Sequence, residues 1–399
     1  LWIGARFAKQ NESSSDFYLG GRKLGPLVTA MSAEASDMSS YLLMGLPGLA
    51  YLSGLADVGW TAIGLGLGTY LNWLFTARRI RRYTQITGAF TLPQFFSHRF
   101  HDRKHILSAI SAVIIIVFFI PYTASGFSAC GKLFSSLFGV DYMGAMIVSA
   151  IVIVGYTAAG GFLAASVTDL IQSIIMTIAI LFVLIYATVQ AGGLGAVMEN
   201  AKALPGYLSF TSTYTASGAA PYNFLTIVST LAWGLGYFGM PHILLRFMAI
   251  EEEKKLNDSR RIASIWVVIS MFIAVFIGII GYSVSAAGKI PFLTTSADAE
   301  TVIIQLSSLM SQHGAILAIM AGIILSGILA ATMSTADSQL LTAASSVSQD
   351  LMQGFMGMKL SDKAAMRVAR LTVVAIAVVG MFLAWDPNSS VFRVVSFAW

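Results

Sequence analysis

Charge and cysteine are what this chain has least of. Only 11% of its 399 residues are Asp, Glu, Lys or Arg, against roughly 25% in a soluble domain. That shortage excludes a soluble enzyme. Cys130 is the single cysteine, so no internal disulfide forms and no oxidising compartment is implied; a buried thiol is expected. No GxxxxGK[ST] run is present, so transport driven directly by ATP has no support, and no catalytic triad stands out. What is abundant is apolar: 56% of residues are hydrophobic and the mean hydropathy is +0.76. The chain reads as a polytopic membrane protein. It begins with Leu1 rather than Met and stops inside the apolar run SSVFRVVSFAW, so it is expected to be a piece of a longer protein at both ends.

Apolar stretches long enough to cross a bilayer, ~20 residues each, fall at 25–52, 58–77, 104–134, 142–158, 162–190, 222–247, 260–287, 313–345 and 366–385. A stub at 1–6 precedes them, and a last helix starts near 389. If these alternate in direction, every Lys and Arg except Lys132, Lys202, Lys289 and Arg393 lies on one side, Arg246 among them. The positive-inside rule makes that side cytoplasmic and places the N-terminus outside. RRIRR at 78–82 then serves topology, with anionic lipid contact as a lesser role. The pI near 9.2 has the same explanation and does not point to nucleic acid. His98, His101 and His105 sit in this basic region, where no Cys or carboxylate cluster completes a metal-binding set.

Residues 26–52, PLVTAMSAEASDMSSYLLMGLPGLAYL, read as an interrupted membrane helix. A carboxylate near a bilayer centre costs ~2.5–3.5 kcal/mol on insertion scales. Glu34 and Asp37 are three apart and share one helical face. Their small, hydroxylated neighbours favour an opening that exposes backbone carbonyls, which a membrane tolerates only around a cavity. A second interruption is expected at WGLGYFGMP within 222–247, where three glycines and Pro241 weaken the helix. Paired breaks in two halves point to the binding site of an inverted-repeat transporter. Hydropathy divides the chain into a first five-helix repeat at 25–190 and a second, expected to be incomplete, at 222–399. Trp233 and Tyr237 share a face beside the second break and fit either packing or ligand binding. Tyr122, after Pro121, is open to both roles as well.

Ser334 and Thr335 lie in LSGILAATMSTADSQLLTAASS (325–346), with Ala331 one turn before Thr335. Mid-helix hydroxyls commonly bond to the i−4 carbonyl. The alternative is a set of hydroxyl and carbonyl oxygens for a hard cation such as sodium. Asp337 is expected at a cytoplasmic exit. Asp169 fits helix capping or a place on the ion path.

At these residues the chain resembles the sodium/solute symporter family. The matching blocks are FYLGGRKLGP (17–26), SDMSSYLLMGLPG (36–48), FTLPQFF (90–96), YTAAGGFLAASVTDLIQ (156–172), WGLGYFGMPHILLRFMA (233–249) and ILAATMSTADSQLL (328–341). GLGYFGMPHIL resembles the pocket segment of the family's proline-transporting branch. The resemblance implies an all-α membrane protein with a leucine-transporter-like core of two inverted five-helix repeats. It places sodium on the backbone carbonyls of Ala35, Met38 and Ala331 and the hydroxyls of Ser334 and Thr335, with Asp37 acting on sodium coupling from nearby. It places substrate at Ser39, Tyr122, Trp233, Tyr237 and Pro241, and coupling or gating at Arg22 and Asp169. Glu34, Ser40 and Met240 depart from the family's commoner residues near this pocket. The resemblance also implies that a helix carrying part of the extracellular gate lies beyond Trp399.

The expected function is sodium-coupled import of L-proline across a bacterial plasma membrane by alternating access, with sodium as coupling ion and no cofactor. The alternatives are another amino acid, a carboxylate or an osmolyte as substrate, a transporter-like sensor, or proton coupling through Glu34.

Overall fold

The computed structural model describes residues 2, 6, 13–387 and 391–398. Most of the stub at 1–6, Lys9 and the expected helix start near 389 therefore lie outside the described residues. A short helix α1 (Ser14–Leu19) carries a capping box in which the Ser13 and Asp16 side chains satisfy each other's backbone N–H groups.

The first interrupted span consists of α2 (Pro26–Ser40) and α3 (Leu46–Ser53), joined by a π-helical turn over Tyr41–Gly45. Pro26 opens α2, where its missing N–H costs nothing. The break falls at Ser39, with φ 49° and ψ −168°. A non-glycine residue held there stores about 1–3 kcal/mol of strain. The Ser39 Oγ offsets part of it by accepting the Tyr41 N–H at 3.0 Å.

Next come α4 (Leu55–Asn72) and α5 (Arg78–Thr87), linked by a π-helical turn at Trp73–Ala77. RRIRR is thus the start of a helix rather than a loop. Arg81 is buried and donates to the carbonyls of Ile250 and Glu251. After α6 (Leu92–Arg99), α7 (Ile106–Phe138) runs through Pro121 without stopping. The expected helices 142–158 and 162–190 meet end to end in α8 (Tyr142–Gln190), broken only at Gly161, whose φ of 67° favours glycine.

A short helix α9 (Leu194–Ala203) and an antiparallel hairpin, β1 (Ser212–Thr215) with β2 (Gly218–Pro221), cap one end. The second interrupted span is α10 (Phe224–Leu231), a 3-10 segment Ala232–Phe238, and α11 (Pro241–Ala249), bent by 45°. Then follow α12 (Leu256–Ala286), short α13 (Ser296–Ala299) and α14 (Val302–Ser311), α15 (Ala315–Ser345), α16 (Asp362–Leu383) and α17 (Val391–Ala398).

Among the described residues, five helices are long and apolar enough to cross a membrane, and the bent α10–α11 pair makes a sixth span. The expected spans at 25–52 and 58–77 fall short of that measure because Glu34, Asp37 and the serines lower the hydropathy of one and Asn72 and four glycines dilute the other. The outer faces of α7, α8, α12 and α16 are apolar and exposed, as at Ile114, Ile151, Phe272 and Leu371. Such faces suit lipid, not water.

At the centre, α15 packs against α7, α8 and α2. Its small residues permit close approach: a Cβ on Gly327 would lie 2.9 Å from the Ala179 Cβ of α8. The tightest crossing joins α4 to the second break, where a Cβ on Gly68 would stand 2.2 Å from the Gly234 carbonyl oxygen.

Two basic residues counted in the charge asymmetry are buried in the bundle rather than solvated. Arg246, at the end of the expected span 222–247, is buried in α11 and pairs with Asp169. Lys132, at the end of the expected span 104–134, is buried and pairs with Glu300 at 2.9 Å.

Candidate functional site

The two breaks face each other across the bundle. Tyr237, in the 3-10 segment of the second, donates its hydroxyl to Asp37 Oδ2 of the first at 2.6 Å. Tyr122, from the middle of α7, donates to the Asp37 backbone carbonyl at 3.2 Å. Trp233 packs on Tyr41, with ring centroids 5.4 Å apart. Asp37, Met38, Tyr41, Tyr122, Trp233 and Met271 border a cavity of about 10 Å³, room for about one water. Its walls must part before a solute enters. Ser39, Tyr237 and Pro241 do not border it. Ser39 forms the break, Tyr237 braces Asp37, and Pro241 starts α11.

Beside the first break, the Ser334 hydroxyl donates to the Ala35 carbonyl at 2.7 Å and to the Ala331 carbonyl at 3.1 Å. The Thr335 hydroxyl donates to the Ala331 carbonyl at 3.2 Å. Four of the five oxygens expected to hold sodium therefore meet between α2 and α15. The Met38 carbonyl is instead engaged by the Tyr41 N–H inside the break, and no hydrogen bond joins it to the other four. The back-bonding and ion-binding roles of these hydroxyls are compatible, since each oxygen keeps a free lone pair.

Asp169 does not cap a helix. It lies within α8, fully buried, accepting from Ser32 Oγ at 2.6 Å and pairing with Arg246 at 3.1 Å. Arg246 also donates to Ser32, Ser338 and the His242 carbonyl, with its guanidinium over the Phe162 ring. Asp337 does not line an exit: it is buried, hydrogen-bonded by Tyr156 and Ser338. Arg22 stands apart from both clusters. Its guanidinium ties the carbonyls of Thr84, Ala89 and Met248 together at the end of the bundle.

Three buried polar side chains had no place in the site as read from the sequence. Trp73 donates to Glu34 Oε1 at 3.1 Å, and Asn72 donates to the Tyr237 carbonyl at 2.9 Å. With Arg246, each sits inside or at the end of an apolar run, and that was the available signal. Removing the Tyr237 hydroxyl leaves a buried carboxylate oxygen without its donor, which costs about 1–3 kcal/mol. Tyr237→Phe is accordingly expected to lower the melting temperature in detergent; an unchanged melt would refute the bracing role.

A sequence model of the Sodium:solute symporter family matches residues 17–399. Similar curated proteins include Sodium/proline symporter 2 of Staphylococcus saprophyticus, 40% identical over all of this chain and 76% of its own length. The Sodium/proline symporter of Haemophilus influenzae is 42% identical over all of this chain and 78% of its own. The osmoregulated proline transporter OpuE of Bacillus subtilis is 41% identical with the same coverage. Among solved structures, a Na+-coupled sialic acid symporter in a substrate-bound outward-open state superposes with TM-score 0.80 at 18% identity, covering 96% of this chain and 79% of that one. Mhp1, a nucleobase-cation-symport-1 family transporter in a closed conformation, gives 0.55 at 14% identity over 97% and 77%. These structural likenesses establish the fold alone, an inverted-repeat symporter core.

Proposed function

The chain belongs to the sodium:solute symporter family, and from that premise we propose that it imports L-proline with sodium by alternating access. The observation that carries this reading is the junction of Ala35, Ala331, Ser334 and Thr335 one turn from the Ser39 break, whose neighbours Met38 and Tyr41 wall a narrow aromatic cavity with Tyr122 and Trp233. The names of the relatives support proline as the solute.

Sodium sits between α2 and α15, on the Ala35 and Ala331 carbonyls and the Ser334 and Thr335 hydroxyls, with Met38 completing the set once its carbonyl turns inward. An ion there must spread the 2.7 Å contact between Ser334 and Ala35. Binding therefore shifts α2 relative to α15 and sets the geometry of the Ser39 break. Asp37 acts one shell out, through the hydroxyls of Tyr237 and Tyr122. The substrate carboxylate meets free N–H groups at the opened helix ends, and its ring lies against Trp233. Ser39, Tyr237 and Pro241 shape the pocket by positioning its walls. Asp169 and Arg22 hold the inner half of the bundle closed until the ion leaves. Residues 25–190 and 222–399 form the two repeats, the basic side faces the cytoplasm of a bacterial cell, and the chain begins outside. Lipid surrounds it, and no nucleic acid takes part.

Each sodium moving down −100 mV releases ~2.3 kcal/mol, and a tenfold gradient adds ~1.4 kcal/mol. Together they support roughly a few hundred-fold accumulation per ion. The test is uptake of labelled proline into proteoliposomes with and without an inward sodium gradient, against a panel of unlabelled solutes. Sodium-dependent uptake blocked only by close proline analogues is expected; sodium-independent uptake would overturn the reading. Thr335→Ala is expected to raise the half-saturating sodium concentration about tenfold, the equivalent of ~1.4 kcal/mol, at unchanged protein level.

A further inference from the structure

The arginines of α5 are not all spent inside the chain. Arg78 and Arg82 pair with Glu253, and the buried Arg81 holds the Ile250 and Glu251 carbonyls. Arg79 is exposed and, among the described residues, makes no ion pair and no side-chain hydrogen bond. Arg99, at the end of α6, is exposed too, with its guanidinium over the neighbouring Phe100 ring.

Arg79 and Arg99 border one cavity of about 580 Å³. The rest of its wall is mostly apolar: Phe75 from the turn before α5, Phe96 from α6, Phe238 from the second break and Leu244 from α11. Tyr83 and Phe95 meet edge to face, ring centroids 5.3 Å apart, and tie α5 to α6 along this wall. Among the described residues no acidic side chain borders the cavity, so nothing within it neutralises the two arginines.

The cavity lies where the outer surface changes character. Leu67, Leu71, Leu74 and Phe75 are exposed at the spacing of a single helical face. Arg79 stands one turn beyond Phe75. Apolar surface gives way to basic surface at the level where acyl chains give way to headgroups.

We propose that this cavity binds one anionic phospholipid. Arg79 and Arg99 hold the phosphate, which a planar guanidinium matches in geometry as well as charge. An acyl chain lies along Phe75, Phe96 and Phe238 and continues over Leu71 and Leu74. The apolar wall selects a lipid over a soluble anion, and the arginines select an anionic lipid over a zwitterionic one. Because Phe238 belongs to the 3-10 segment of the second break, the lipid packs directly against one of the two interruptions. This site does not depend on which solute or ion the chain carries.

The test is native mass spectrometry of the full chain, purified in detergent, stripped of lipid and titrated with phosphatidylglycerol. One bound lipid is expected at concentrations where phosphatidylcholine leaves the chain bare. Arg79→Gln combined with Arg99→Gln should weaken binding about tenfold or more, with an unchanged melt because both side chains are exposed. Thr76→Trp, which fills the cavity and keeps both arginines, should weaken it as well. Arg103→Gln combined with Lys104→Gln removes the same charge just past α6, from residues that do not border the cavity, and should leave binding unchanged. Equal weakening by the two double variants would mean general attraction to a basic surface and overturn the site. Phosphatidylcholine binding as tightly would overturn the role of the arginines. Displacement of the lipid by an equal concentration of glycerol phosphate would make this a site for soluble anions and overturn the proposal.

Discussion

Replacing Arg246 by methionine is expected to remove about 3–5 kcal/mol of stability, the usual cost of deleting one partner of a buried ion pair. The guanidinium joins four elements: Ser32 of α2, Asp169 of α8, the His242 carbonyl of α11 and Ser338 of α15. Asp169 already has one oxygen without a donor, so the loss leaves it buried with only Ser32 as a partner. A membrane offers no water to compensate. The check is a thermal melt in detergent together with the yield of monodisperse protein. If the cost comes from the stranded charge, Arg246→Met combined with Asp169→Asn should recover a good part of it, since replacing both partners of a buried pair is often near neutral. A double variant as unstable as the single one would mean that Arg246 matters by its packing, as over Phe162.

Gly68→Val is expected to be nearly as damaging, at or above the upper end of the ~1–3 kcal/mol typical of overpacking. A Cβ there would meet the Gly234 carbonyl oxygen at 2.2 Å and its Cα at 2.6 Å. Both contacts are to backbone, which cannot rotate aside as a side chain can. Helix α4 must therefore move away from the second break, carrying Asn72 and Trp73 off Tyr237 and Glu34. Transport should fall with stability. Gly66→Val two residues earlier is the control, because a Cβ at Gly66 meets only a Val268 methyl at 3.4 Å. Equal behaviour of the two variants in uptake and melting would refute the close-packing account.

Local chemistry made much of this protein legible in one dimension. Apolar runs located α7, α8, α12, α15 and α16, because each must bury or present to lipid a full turn-by-turn surface. The Ser, Gly and Pro clusters located both breaks, because helix continuity is decided over a few residues. The Gly161 junction appeared as a gap between two runs for the same reason. The adjacent hydroxyls Ser334 and Thr335 were visible as polar atoms in an apolar helix.

What stayed hidden was which buried polar groups face one another. Ser334 meets Ala35 across 299 residues and Tyr237 meets Asp37 across 200. Charge asymmetry read Arg246 and Lys132 as solvated span ends, since a basic residue near the end of an apolar run is cheap in water and costly in lipid. Only the packed bundle supplies Asp169 and Glu300, the partners that reverse that sign. Asp337 and Asp169 were likewise read from their neighbours in the chain and proved to be fixed by Tyr156, Ser32 and Arg246 from other helices. The sequence by itself determined the long apolar spans, the breaks and the family, because those follow from transfer energies and backbone propensities summed along the chain. The tertiary structure alone decided which oxygens converge and which charges are paired, because pairing energy depends on what the neighbouring helix presents.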